Sequence, residues 1–145
     1  MKKLLLLSLL ALAIACNEDD NDTTLCIPPN PVFEFTLRDV NQNPLLGTVF
    51  VQDSFKLSNN QSTVYLKPTP QGDEENLQVI MPDIISGVDY TLELSDTEND
   101  IVRISYEIVT ESCGAHRLTS FVYNGQTIYT FDSQVPRPQP IVVIK

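Results

Sequence analysis

Alternation of apolar and polar residues is the feature of this chain that most restricts its fold. In Val102–Ile108, apolar side chains alternate with polar or charged ones, and Val32–Arg38 repeats the pattern. Successive side chains of a strand point to opposite faces of a sheet, so this spacing predicts strands with one buried face. No window shows a sustained helical period. The chain is therefore expected to be all-β.

Turn signals separate the predicted strands. Asn124-Gly125 lies between His116–Tyr123 and Gln126–Phe131, and Asn-Gly is the strongest short-range sign of a hairpin because a type I′ turn needs two positive φ angles. Many short strands predict one antiparallel β-sandwich of the immunoglobulin or transthyretin kind, with a small β-barrel as the alternative. Residues 68–76 are expected to form a polar loop, and further strands are expected at Thr48–Val51, Ser54–Leu57, Ser62–Lys67, Leu77–Met81, Tyr90–Leu94 and Ile141–Lys145.

The first sixteen residues have the composition of a secretory signal. Lys2 and Lys3 precede an apolar run, Leu4–Ala15, which is shorter than the roughly 20 residues that a transmembrane helix needs. A signal that ends in cysteine resembles those of bacterial lipoproteins, in which the cysteine, here Cys16, is lipidated and becomes the new N-terminus. A plain secretory signal cut near Ala15 is the alternative.

The segment after Cys16 predicts a tether. Asn17–Thr24 is acidic, polar and without apolar residues, so it cannot bury enough surface to offset the entropy of ordering. Acidic residues directly after a lipidated cysteine resemble the surface-export signals of Bacteroidetes lipoproteins; a spacer without a sorting role is the alternative. The expected organisation is a signal peptide at 1–15, a lipidated, acidic and proline-rich tether at 16–30, and a sandwich domain at 31–145.

Charge excludes one class of partner. Removal of Met1–Ala15 takes away two lysines and lowers the formal net charge from −10 to −12. An acidic body repels polyphosphates, so nucleic acid is not expected as a partner. No cofactor is expected. The predicted membrane contact is the lipid on Cys16, and a protein or glycan partner is left open.

Two cysteines remain once Cys16 is assigned to lipid. Cys26 and Cys113 would lie in an oxidising compartment, where disulfides form and persist, and we expect them to pair. The bridge would close a loop of roughly 87 residues and stabilise the fold by about 4 kcal/mol if it acts through chain entropy. Two free thiols are the alternative.

Few residues could support catalysis or metal binding. His116 is the only histidine and no Gly-x-Ser-x-Gly motif is present, so an enzyme is not expected. Asp96, Glu98 and Asp100 place three carboxylates at alternate positions of a turn, and calcium favours several oxygen ligands from one loop. They are the candidate metal ligands, with a solvated turn as the alternative.

Aromatic residues supply the candidate ligand contacts. Glycan binding by secreted sandwiches depends on exposed rings that stack on sugars, and this chain has no Trp, so the contacts must come from Tyr or Phe. Most of these residues fall at strand positions that predict core packing. Tyr123 and Tyr129, on either side of Asn124-Gly125, are the candidates for exposed contacts.

The stretch Ser95–Ile128 resembles the C-terminal half of small envelope lipoproteins of the Bacteroidetes. The shared motifs are Asp96-Thr97, Cys113-Gly114 and Tyr123-Asn124-Gly125. The resemblance implies an outer-membrane lipoprotein, surface-exposed or facing the periplasm, with a β-sandwich body, and it supplies no activity. We therefore expect a non-enzymatic binding or structural module, with a carbohydrate- or calcium-binding lectin-like accessory protein as the alternative.

The predicted disulfide has a direct test. Mass spectrometry of the non-reduced mature protein is expected to show a mass two hydrogens lower than that of the reduced chain, and a cross-linked peptide pair that contains Cys26 and Cys113. Alkylation of both thiols without prior reduction would contradict the pairing.

Overall fold

The computed structural model describes residues 31–71, 74–110 and 113–145. The predicted signal peptide, the tether, Cys16 and Cys26 lie outside these residues. Ten strands and one short 3-10 helix, Met81–Asp83, occupy the described part of the chain. The strands are β1 (Val32–Arg38), β2 (Phe55–Ser58), β3 (Thr63–Leu66), β4 (Pro68–Gln71), β5 (Glu74–Ile80), β6 (Asp89–Glu93), β7 (Asn99–Val109), β8 (Ala115–Tyr123), β9 (Gln126–Thr130) and β10 (Ile141–Ile144).

The strands form two sheets. The four-stranded sheet has the order β10-β1-β5-β4, and the six-stranded sheet has the order β3-β2-β6-β7-β8-β9. Neighbouring strands are antiparallel except β1 and β10, which run parallel with Phe35 opposite Ile141. The predicted β-sandwich is thereby confirmed, and the β-barrel alternative is wrong because the two sheets do not close into one.

Aromatic side chains fill the space between the sheets. Phe33 and Phe35 point inward from β1, and their ring centroids lie 5.7 Å and 5.1 Å from that of Phe121 on β8. All three side chains are buried. Alternation in β1 produces this arrangement, because Phe33, Phe35 and Leu37 occupy one face of the strand while the positions between them point away.

The expected hairpin is present. Asn124 and Gly125 have φ angles of 47° and 81°, as a type I′ turn requires, and they connect β8 to β9. The turn is also held from the side, because the Asn124 backbone N–H donates to the Ile101 carbonyl at 2.7 Å. The last strand, β10, lies at an edge of its sheet.

Two expectations are wrong. Thr48–Val51 is not a strand: Phe50 makes only a single bridge with Leu46, and Val49 and Val51 are exposed. Residues 68–76 are not a loop, since β4 and the start of β5 lie there. Pro68 and Pro70 are the reason that the sequence pattern did not predict β4, because proline within a run argues against a strand. Proline cannot donate to a ladder, but an edge strand tolerates it, and β4 is an edge strand.

Truncation of the central ring tests this core. Phe121→Ala is expected to lower the free energy of unfolding by about 3–5 kcal/mol, because it leaves a cavity between the two sheets. The matched control is Val122→Ala, one residue along β8 with its side chain on the opposite face, with an expected loss below about 1 kcal/mol. Urea unfolding of both variants measures the difference. Equal losses would contradict the packing.

Candidate ligand-binding face

The acidic turn predicted to bind calcium contributes instead to a closed polar cluster. The Oδ2 atom of Asp100 accepts a hydrogen bond from Tyr123 Oη at 2.5 Å, and its Oδ1 atom accepts one from Asn124 Nδ2 at 2.7 Å. Lys145 Nζ forms an ion pair with Asp100 and a second one, at 2.9 Å, with Glu98. These five residues are the Asp100 cluster. Protein donors thus occupy both oxygens of Asp100.

The cluster shifts the ionisation of its members. Burial by itself raises the pKa of Asp100, but hydrogen bonds from Asn124, Lys145 and Tyr123 outweigh it, so the pKa lies below its ordinary value. Burial lowers the pKa of Lys145, and the Asp100 and Glu98 carboxylates reverse that effect and raise it. Burial and the neighbouring Asp100 raise the pKa of Tyr123. The carboxylate and the ammonium are therefore both charged at neutral pH.

The sequence-predicted site residues do not assemble as expected. Among the described residues, no group of three or more His, Cys, Asp or Glu is placed to hold a metal ion, so the structure does not bring Asp96, Glu98 and Asp100 together as metal ligands. Tyr123 is only 4% exposed, and Tyr129 is half-buried against the core. The expectation of an exposed ring is therefore wrong for Tyr123, whose hydroxyl donates to Asp100. The Tyr129 ring is only partly exposed.

Two further residues singled out by sequence have structural surroundings. Cys113 is disulfide-bonded. Its predicted partner Cys26 is outside the described residues, so the Cys26–Cys113 pairing stays a prediction. His116 lies in β8 with its ring centroid 5.3 Å from that of Tyr106. Cys113 and His116 lie near the C-terminal end of β7, since Ile108 pairs with His116, whereas the Asp100 cluster lies at the N-terminal end of that strand.

The solvent-facing side of the six-stranded sheet, called here the outer face, carries ion pairs between adjacent strands. Lys56 on β2 contacts Glu93 on β6 at 2.6 Å, and the register places the two residues side by side. Arg103 on β7 donates two hydrogen bonds to Asp89 on β6, at 2.7 Å and 2.8 Å. The outer-face positions of these strands are Thr63, Tyr65, Lys56, Ser58, Asp89, Thr91, Glu93, Asn99, Ile101, Arg103, Val122 and Thr127.

Each cation on the outer face is thus matched by a carboxylate. Hydrogen bonding to Glu93 raises the pKa of Lys56, and hydrogen bonding from Arg103 lowers the pKa of Asp89, so both pairs are ionised at neutral pH. The chain as a whole has a formal net charge of −10. The outer face is therefore close to neutral within a strongly acidic molecule.

A depression of about 390 Å³ lies at the β3 end of the outer face, and we call it the Tyr65 depression. Tyr65 is 65% exposed. The Lys56–Glu93 ion pair lines the depression, together with two serines and the three polar side chains Gln52, Asp96 and Asn99. Gln52 is held in place because its Nε2 atom donates to the Leu94 carbonyl at 2.5 Å.

Tyr65 also borders a second depression, of about 210 Å³. Val64, Leu66 and Ile80 contribute apolar surface there, and the polar groups come from Lys67, Thr69, Gln78 and Asp83. Tyr65 therefore borders both a polar depression on the outer face and a more apolar one at the edges of the two sheets, where β3 approaches β5.

Sequence reasoning overlooked Tyr65, although a signal was available. In β3, Leu66 is buried and Val64 half-buried, so the alternation places Thr63 and Tyr65 on the outer side. A position beside a turn favoured exposure of the hairpin tyrosines Tyr123 and Tyr129, whereas the face of the sheet on which a side chain lies decides its exposure.

No protein-family model, no curated protein and no solved structure matches the chain. Within the described residues there is no helix with the length and apolar character needed to cross a membrane. The function is therefore argued from the sequence signals and from the surface of the sandwich.

Acid titration tests the Asp100 cluster. Asp100→Asn is expected to lower the free energy of unfolding at pH 7 by about 3 kcal/mol, because it leaves Lys145 partly buried without its main counter-charge. Since the folded-state pKa of Asp100 is lowered, its contribution is present above the unfolded value of about 3.9 and is lost as the pH falls through the folded pKa. The difference between the wild type and the variant is expected to shrink below about pH 4.

The control for that titration is Asp96→Asn, because Asp96 is exposed in the same turn. Its expected effect on stability is within about 0.5 kcal/mol at every pH. A difference between the wild type and Asp100→Asn that is unchanged between pH 7 and pH 2 would contradict the assigned role of the carboxylate.

Proposed function

We propose that this protein is a lipid-anchored, non-enzymatic binding or structural module of a bacterial outer membrane, exposed at the cell surface, and that the outer face is its contact surface. The lipoprotein-type signal that ends at Cys16 supports the anchor. The observation that carries the contact surface is the outer face itself, where paired charges leave a nearly neutral patch that includes the exposed Tyr65. Exposed tyrosine is typical of binding surfaces.

The surroundings of Cys113 and His116 support the non-enzymatic part of the proposal. A thiolate is the nucleophile of a cysteine enzyme, and the sulfur of Cys113 is bound in a disulfide. His116 is the only histidine of the sequence and packs beside the Tyr106 ring. A Cys–His pair of the hydrolase kind would need a free thiol at this place.

The acyl anchor supports the location. One acyl chain gives marginal membrane binding, whereas two or more hold a protein stably, and bacterial lipoproteins carry two or three. The tether, residues 16–30, would then separate the sandwich from the bilayer. A body with a formal net charge of −12 after signal removal gains no attraction from an anionic membrane surface. The anchor would therefore supply the membrane affinity.

Substitution of the proposed lipidation site tests this function. Cys16→Ser is expected to abolish incorporation of a palmitate analogue in growing cells and to move the protein from the membrane fraction to the soluble fraction or the medium. The matched control is Cys26→Ser, which removes a different cysteine and should leave lipid incorporation intact. Unchanged labelling and membrane retention of Cys16→Ser would contradict the proposal.

A further inference from the structure

The chemistry of the Tyr65 depression restricts what it can bind. Its charges are the Lys56–Glu93 ion pair and the exposed Asp96, so its sum is −1 within a chain of net charge −10. An anionic ligand would meet repulsion from Asp96 and from the acidic body. A small cation would need several converging carboxylates, which the described residues do not supply. The charge pattern therefore favours a neutral ligand.

The polarity of the lining narrows the choice further. Tyr65 is the one aromatic or aliphatic side chain among the residues around the depression, and the others carry hydroxyl, amide, carboxylate or ammonium groups. An apolar ligand would bury these groups without hydrogen bonds, which costs free energy of binding. A ligand with many hydroxyls would instead satisfy both the donors and the acceptors of the wall.

Tyr65 supplies the remaining requirement. The face of its ring is electron-rich, and the C–H bonds on one side of a pyranose ring form a flat, weakly positive surface that complements it. A ring that is 65% exposed can be covered by such a surface without repacking of the core. The Glu93 carboxylate lines the same depression and is fixed by Lys56 at 2.6 Å, so it offers an acceptor for paired hydroxyls.

We propose that the Tyr65 depression is a binding site for neutral glycans, with the Tyr65 ring as the stacking platform and Lys56, Glu93, Gln52 and Asn99 as the polar wall. This inference rests on the proposed function and names its ligand class. Tyr65 lines two depressions, which suits a chain of sugar units with one unit stacked on the ring and its neighbours in the depressions. The site is open and shallow, so we expect an oligosaccharide to bind more tightly than a monosaccharide.

The side chains of the site lie on paired strands of the six-stranded sheet. Lys56 and Glu93 are directly opposite each other on β2 and β6, and Lys56 is opposite Tyr65 on β3. Asn99 continues the same row on β7, because it pairs with Glu93. Four neighbouring strands thus present one row of side chains, at a spacing of roughly 5 Å from strand to strand. The row spans about 15 Å, which matches an oligosaccharide of a few units.

The experiment uses the full-length chain, purified in detergent, on an array of defined oligosaccharides. The array carries neutral hexose and N-acetylhexosamine chains, uronic-acid and sulfated chains, and a set of unglycosylated peptides. The wild type is expected to bind one or more neutral chains. Tyr65→Ala is expected to weaken that binding by about tenfold or more, as loss of a central tyrosine does at other interfaces. Tyr65→Trp is expected to keep it, because the larger ring still stacks.

The matched control is Ile108→Ala. Ile108 is also an exposed residue of the six-stranded sheet, about 30 Å along β7 from Asn99. Its removal is expected to leave glycan binding within about twofold of the wild type. Thermal unfolding of each variant separates a lost contact from a lost fold, and Tyr65→Ala is expected to fold because the side chain is not part of the core.

Four results would overturn the site: no neutral chain bound by the wild type, binding to the anionic chains alone, binding to the peptides alone, or equal glycan affinity for Tyr65→Ala and the wild type. Each of these leaves the lipid anchor intact, since palmitate labelling at Cys16 is measured independently. Palmitate labelling and membrane retention that persist in Cys16→Ser, with glycan binding by the wild type, would instead overturn the anchor and leave the glycan site.

Discussion

Phe121 lies where the two sheets face each other, with the rings of Phe33 and Phe35 within 5.1–5.7 Å of its centroid. This contact joins β1, which lies between β5 and β10, to β8, which lies between β7 and β9. Buried rings of this size contribute more to stability than any surface pair of the molecule. The outer face can be polar, open and shallow because the inner face supplies the stability of the sandwich.

The Asp100 cluster adds a polar link to that apolar contact. Lys145 follows β10, at the edge of the four-stranded sheet, and its ammonium reaches Asp100 near the start of β7 in the six-stranded sheet. The lysine also has its backbone N–H bonded to the Arg38 carbonyl at 2.8 Å. An ion pair between two sheets contributes little net energy when it is compared with apolar residues, but removal of one partner leaves a buried charge without its counter-charge. Glu98 and Asp100, which the sequence pattern marked as metal ligands, therefore connect the two sheets through Lys145.

Much of the fold could be predicted from local patterns, whereas the site could not. Alternation gave β1, β7 and β8, and Asn124-Gly125 gave the hairpin, because both signals depend on neighbours in sequence. The burial of Asp100 depends on Tyr123 and Lys145, which are 23 and 45 residues away, so nothing near Asp100 could reveal it. Tyr65 is the intermediate case. Alternation in β3 predicts the face on which its side chain lies, but the pairing that places Lys56 and Glu93 in the same row depends on other strands.

The parallel pairing of β1 with β10 has a consequence for the order of folding. Phe35 lies opposite Ile141, so the first strand described receives one of its two neighbours from a segment made more than a hundred residues later. The four-stranded sheet cannot be completed until residues 141–144 have been synthesised. Pairings that distant form slowly, because the entropy of closing the loop is lost before the contact is gained. The chain is therefore expected to stay incompletely folded throughout its synthesis, which is the state in which a polypeptide can still be threaded through a narrow channel.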